Sequence, residues 1–128
     1  MAKAKGLSII IVGCGKVGQT LIEQLSKEGH DITIIDKNAE KVQAIANTYD
    51  IMGLVGNGAS YSVQAEAGIE NTDLLIAVTN ADEVNLLCCT TAHGMNPNLH
   101  TIARIRNPEY TNQIYKMRNI YGLSMLIN

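Results

Sequence analysis

The sequence predicts an α/β protein: a Rossmann-like, doubly wound parallel sheet in three layers, with six strands in the order 3-2-1-4-5-6. Three observations carry that prediction. Short apolar runs alternate with amphipathic stretches along the 128 residues, as βα units with right-handed crossovers require. The first run, Leu7 to Val12, passes directly into Gly13-Cys14-Gly15-Lys16-Val17-Gly18, a glycine-rich turn that opens a helix. The second run, Asp31 to Ile35, is closed by Asp36, 18 positions past Gly18. An acid at the tip of the second strand completes the layout of a dinucleotide site.

The elements follow in order. The first strand is the run ending at Val12. The first helix spans Lys16 to Glu28, with Val17, Leu21 and Leu25 on one face and Gly29 placed for a left-handed C-terminal residue. Ile32 to Ile35 is the second strand. Asn38 caps a second helix that buries Val42, Ile45 and Ala46. Ile51 to Val55 is the third strand and ends in a second glycine turn, Gly56-Asn57-Gly58. A short helix over Ser62 to Ala67 leads to a fourth strand, Leu74 to Val78. Asn80 with Glu83 resembles a capping box for the fourth helix, whose face reads Val84, Leu87, Cys88 and Thr91. Gly94 ends that helix and Pro97 prevents its resumption. His100 to Ile105 is the fifth strand, Asn107-Pro108-Glu109 starts the fifth helix, and Leu123 to Ile127 is the sixth strand.

Composition fits this architecture. Hydrophobic residues make up 46% of the chain but aromatics only 4%, with no Trp or Phe, so Ile, Leu, Val, Ala and Met must build a core between sheet and helices. The length suits one domain. A net charge of −2 gives no electrostatic case for nucleic acid. Past residue 100, however, Arg104, Arg106, Lys116 and Arg118 face Glu109 alone, a local basic patch. No apolar run approaches a membrane span, and Lys3 and Lys5 precede a strand rather than a signal segment. Cys14, Cys88 and Cys89 fit a reducing compartment, and no Cys/His spacing suggests a metal.

In a sheet of this order the ligand lies outside the carboxyl ends of strands 1 and 4. Gly13 permits the sharp turn, Gly15 lets a pyrophosphate approach the backbone, and Gly18 brings helix against strand. The helix start then offers N–H groups and a positive dipole end to phosphates. Asp36 suits an adenosine ribose with a free 2′-hydroxyl and opposes a 2′-phosphate. Lys16 and Arg104 are phosphate contacts or solvated cations. Gly58 allows backbone contact with adenine. Asn57 bonds a base or holds its turn, and Thr79 is open between the same two roles. Asn80 reads first as a helix cap. His30, His93 and His100 fall away from the carboxyl edge, and no nucleophile–base arrangement supplies chemistry. The domain binds a nucleotide without evident means of using it.

Gly13-x-Gly15-x-x-Gly18, Asp36, Gly56-Asn57-Gly58, the string Ala77 to Asn85 and the string Thr101 to Tyr110 together resemble the N-terminal domain of Trk-type potassium uptake regulators, the TrkA-N or RCK/KTN family. The likeness runs from Ser8 to Asn128. It implies a non-enzymatic cytoplasmic domain, peripheral to the inner face of the membrane. Such a domain binds NAD(H) or ATP/ADP, pairs as a homo-oligomer, assembles into a ring and acts on a membrane potassium transporter or channel subunit. Carried over by position, the nucleotide site comprises Gly13, Cys14, Gly15, Lys16, Val17, Gly18, Asp36, Lys37, Asn57, Gly58, Ala59, Thr79, Asn80 and Arg104. Two departures stand out. Gly56-Asn57 replaces the Gly-Asp common in the family, and the family's C-terminal regulatory subdomain is not among residues 1–128, which therefore read as one domain of a longer protein. The alternatives are the cofactor domain of an NAD-dependent oxidoreductase without its substrate domain, or an interaction domain that binds no nucleotide.

Overall fold

The computed structural model describes residues 6–128; Lys3 and Lys5 lie outside them. The sheet is six-stranded and all-parallel, in the order β3-β2-β1-β4-β5-β6, as the alternation of elements predicts. Its strands are β1 (Ser8–Val12), β2 (Asp31–Asp36), β3 (Met52–Val55), β4 (Leu74–Ala77), β5 (His100–Arg104) and β6 (Met125–Ile127). The helices are α1 (Lys16–Lys27), α2 (Ala39–Tyr49), α3 (Tyr61–Glu66), α4 (Asp82–Met95) and α5 (Pro108–Tyr121). A 3₁₀ turn at Ile69–Asn71, unannounced by the sequence, precedes β4.

Two apolar clusters make the three layers. Ile9, Ile11, Ile32, Ile34 and Ile76 pack with Ile22 of α1 and Val42 and Ile45 of α2. Ile10, Val12, Ile35 and Leu75 pack on the opposite face with Cys88, Cys89 and Ala92 of α4 and Ile114 of α5. Successive residues of β1 thus enter opposite clusters, which is why the strand reads as a continuous apolar run rather than an alternating one. Each buried isoleucine contributes about 1.5–3 kcal/mol relative to an exposed one.

Several predicted ends hold. Gly29 is left-handed, with φ +82°. Asn38 Oδ1 accepts from the Lys41 amide at 3.1 Å, and Asn107 Oδ1 accepts from Glu109 at 3.0 Å with Pro108 opening α5.

The fourth helix differs from expectation at three points. Asn80 is not its cap: the capping position is Ala81, with no side-chain cap bond, and Glu83 instead accepts from the Tyr110 hydroxyl at 2.8 Å. The reason is competition from Asn85, whose side chain holds Thr79 and keeps the chain extended through Ala81. The buried face is Asn85, Cys88, Cys89 and Ala92, rotated by one position, while Leu87 is 55% exposed. Small cysteines allow close approach to the sheet there. Gly94 does not end the helix, which continues to Met95; Asn96 stops it by donating to the carbonyls of Ile69, Glu70 and Thr72. In α1, Gly18 and Ile22 are buried, and Val17, Leu21 and Leu25 flank them half-buried.

Candidate functional site

A parallel sheet places every strand's carboxyl end, and the start of each following helix, on one edge. At that edge a crevice of about 550 Å³ opens between the ends of β1 and β4. Of the residues expected to form a site, Gly13, Cys14, Gly15, Asp36, Lys37, Asn57, Gly58, Thr79 and Asn80 line it. Lys16, Val17, Gly18, Ala59 and Arg104 are not in its lining, whereas Asn38, Lys41 and Val84 are.

The glycines of the first turn are there for different reasons. Gly13 has φ +116°, and a Cβ there would lie 2.9 Å from the Val78 carbonyl oxygen. At Gly18 a Cβ would collide with the Gly13 carbonyl, so the chain itself demands both glycines. At Gly15 a Cβ would meet nothing within 4 Å, and its φ of −74° and ψ of −169° suit any residue. Among the described residues no contact or backbone angle requires a glycine at the cap of α1, where the first amides have no partner within the helix.

Asp36 organises this corner. Its Oδ2 accepts from the Cys14 amide at 2.8 Å and its Oδ1 from the Asn38 amide at 2.9 Å, fixing the glycine turn to the start of α2. Each carboxylate oxygen keeps lone-pair capacity for a further donor such as a ribose hydroxyl. The Cys14 thiol beneath is fully buried. Burial first, and then the Asp36 charge, push its pKa up to about 11, against a lowering by Lys41. It is a neutral packing group at physiological pH. Burial likewise raises Cys88 to about 12 and Cys89 higher still.

The other walls are built from internal hydrogen bonds. A Cβ at Gly58 would run into the Val12 side chain, so packing against β1 by itself requires a glycine there. The Gly58 carbonyl accepts from buried Gln64 at 2.8 Å, and Asn57 Oδ1 accepts from the Ala59 amide at 3.1 Å, holding its turn. Asn85, also fully buried, uses its whole amide. Its Oδ1 accepts from the Thr79 amide at 2.8 Å and hydroxyl at 2.7 Å. Its Nδ2 donates to the carbonyls of Thr79 at 3.1 Å and Arg104 at 2.8 Å. Asp82 reinforces this link by accepting from the amides of Arg106 and Asn107, and Arg106 Nη2 donates to the Asn80 carbonyl at 3.0 Å. Arg104 thus enters the network through its backbone.

Sequence reasoning missed Lys41 in the crevice lining and the buried amides of Asn85 and Gln64 that hold its walls. A buried amide shows in sequence only as a polar residue on an apolar helix face, and Asn85 beside Cys88 and Ala92 carries that signal. None of the three histidines lines the crevice. Among the described residues no cluster of His, Cys, Asp and Glu could hold a metal ion, and no helix is long and apolar enough to cross a membrane.

The sequence profile of the TrkA-N domain matches residues 9–124. The Trk system potassium uptake protein TrkA of Vibrio alginolyticus is 42% identical over 104 residues, covering 81% of this chain and 23% of that protein; the chain spans about a quarter of such relatives. Among solved structures, the TrkA-N domain of the inner membrane protein ybaL from Escherichia coli superposes with a TM-score of 0.84 at 20% identity, covering 98% of this chain and 89% of that one. The GsuK channel bound to NAD gives 0.79 at 16% identity, with coverage of 99% and 22%. The Kef CTD of Shewanella denitrificans in its AMP-bound form gives 0.76 at 23% identity, with coverage of 92% and 70%. At such identities these structures share the fold.

Proposed function

The chain belongs to the TrkA-N domain family, and from that premise we propose that residues 1–128 act as the nucleotide-binding domain of a potassium uptake regulator. The domain is cytoplasmic and non-catalytic, and it changes its assembly with the nucleotide bound so as to bias a membrane transporter or channel subunit. The observation that carries this reading is Gly15: a glycine that the protein does not need, at the start of a helix, leaves room for a phosphate against the backbone. The potassium-uptake naming of the relative from Vibrio alginolyticus, and the NAD and AMP of two structures with this fold, support the direction.

The ligand is an adenine nucleotide with a free 2′-hydroxyl, NAD(H) or ATP/ADP. Asp36 accepts from its ribose, the Gly13–Gly15 turn and α1 hold its phosphates, and Lys37, Asn57, Thr79 and Asn80 border it. Lys16 and Arg104, outside this chain's crevice lining, suit a phosphate presented by a neighbouring copy in a dimer or ring. Two ligands then act through the difference in their affinities for two assemblies.

Calorimetric titration with ATP, ADP, NADH and NAD⁺, with light scattering on each complex, tests the switch. Different particle sizes with different ligands are expected. Equal affinity and equal size for all four would refute it, and turnover of NADH with a small substrate would favour the oxidoreductase reading instead.

A further inference from the structure

We propose that Lys41 is the cationic ligand contact of the crevice, its ammonium meeting a phosphate of the adenine nucleotide held over the Gly13–Gly15 turn. This rests on the nucleotide reading above and adds a residue to it. Lys41 lines the crevice although Lys16 and Arg104, the cations that sequence favours for this task, do not. It is the third residue of α2, and its own amide donates to the capping side chain of Asn38.

That position is unfavourable for a cation. The first turn of a helix carries the positive end of the dipole, and the third position of a capping box takes Glu or Gln. No local partner offsets this: among the described residues the ion pairs are Lys27 with Glu23 and His30 with Glu28. Lys41 at this helix start therefore makes no ion pair, yet it stands over a crevice whose floor is a turn of backbone amides. Its charge also reaches that floor, since it opposes the rise in the Cys14 thiol pKa that burial and Asp36 impose. In the crevice lining Lys37 and Lys41 stand against the single carboxylate of Asp36, with Glu40 of the same turn outside the lining. A mobile ammonium there can meet a phosphate with a charge-assisted hydrogen bond.

The test compares AMP with adenosine on the full chain, adenosine being read by competition against ADP. Lys41→Gln is expected to weaken AMP binding about tenfold or more and to leave adenosine within about twofold. Lys41→Arg should restore most of the AMP affinity, and the ligand-free melting temperature of Lys41→Gln should stay level or rise. Equal losses for AMP and adenosine, or unchanged AMP binding, would overturn the assignment while leaving the nucleotide reading intact. Failure of the wild-type chain to bind AMP and ADP alike would remove both.

Discussion

The two edges of the sheet carry depressions of nearly equal size, about 550 Å³ at the carboxyl edge and about 580 Å³ at the amino edge. Among the described residues, the lining at the amino edge carries the carboxylates of Glu70 and Asp73 with the imidazole of His100, and no lysine or arginine. Two of its polar side chains are already engaged: Asp73 Oδ2 accepts from the Ser8 amide at 2.8 Å, and the Asn96 amide donates to three carbonyls. Helices end there, adding negative dipole ends. At the carboxyl edge helices begin, Gly15 leaves space over the backbone, and Lys37 and Lys41 stand in the lining. The polarity of a parallel sheet, more than the volume of a hollow, decides which edge suits an anion.

Matched acid deletions give the largest separation between the edges. Asp36→Ala removes the acceptor of two loop amides and of the ribose, so nucleotide affinity should fall about 100-fold and stability by about 1–3 kcal/mol. Asp73→Ala should cost stability of similar order and leave affinity unchanged. Calorimetry and denaturant unfolding on both variants measure this, and a binding loss in Asp73→Ala would break the contrast.

Within the carboxyl edge, Asn85→Leu should be the most destabilising change at the far wall. It orphans the Thr79 amide and the Arg104 carbonyl, at about 1–3 kcal/mol for each group left buried and unpaired. Nucleotide affinity should fall by only a few-fold, because Thr79 shifts while the glycine turn stays. A urea midpoint at the wild-type value would show that the Thr79–Asn85–Arg104 link is dispensable.

Over the physiological range the smallest effect is one of pH. Cys14 and Cys88 have folded pKa values raised from 9.0 to about 11 and about 12. Above about pH 9 the unfolded chain loses these protons while the folded chain keeps them, so stability present below that pH declines as pH rises towards 11–12. Over pH 6–8 these thiols should contribute no slope, and Cys14→Ala should lessen the alkaline decline seen in thermal melts.

The strands and their order were legible in the sequence because a strand buried on both faces leaves an unbroken apolar run, as Ile9 to Val12 does. So were the glycine turn that opens α1 and the acid that closes β2, which motif spacing marks, whereas the bond from the Cys14 amide to Asp36, 22 positions away, was not. The cap of α4 was not, because Asn85 from one turn further on competes for Thr79 and overrides the local pattern at Asn80. Lys41 was hidden for a related reason. Alone it reads as a solvated helix residue, and only the placement of α2 beside the first turn brings it to the crevice. The packing role of Gly58 was hidden because the Val12 side chain that demands a glycine sits 46 positions earlier in the chain.

Gly15 separates the account from a purely structural reading most directly. Gly15→Ala places a methyl group in open space and loses only the helix-cap preference for Gly over Ala, so stability should fall by no more than about 1 kcal/mol. Titration with ADP and NADH should show binding to the wild-type chain and at least about tenfold weaker binding to the variant, since the methyl group occupies the space left for phosphate. Equal binding by the two proteins at equal stability would contradict the claim that this turn holds a nucleotide.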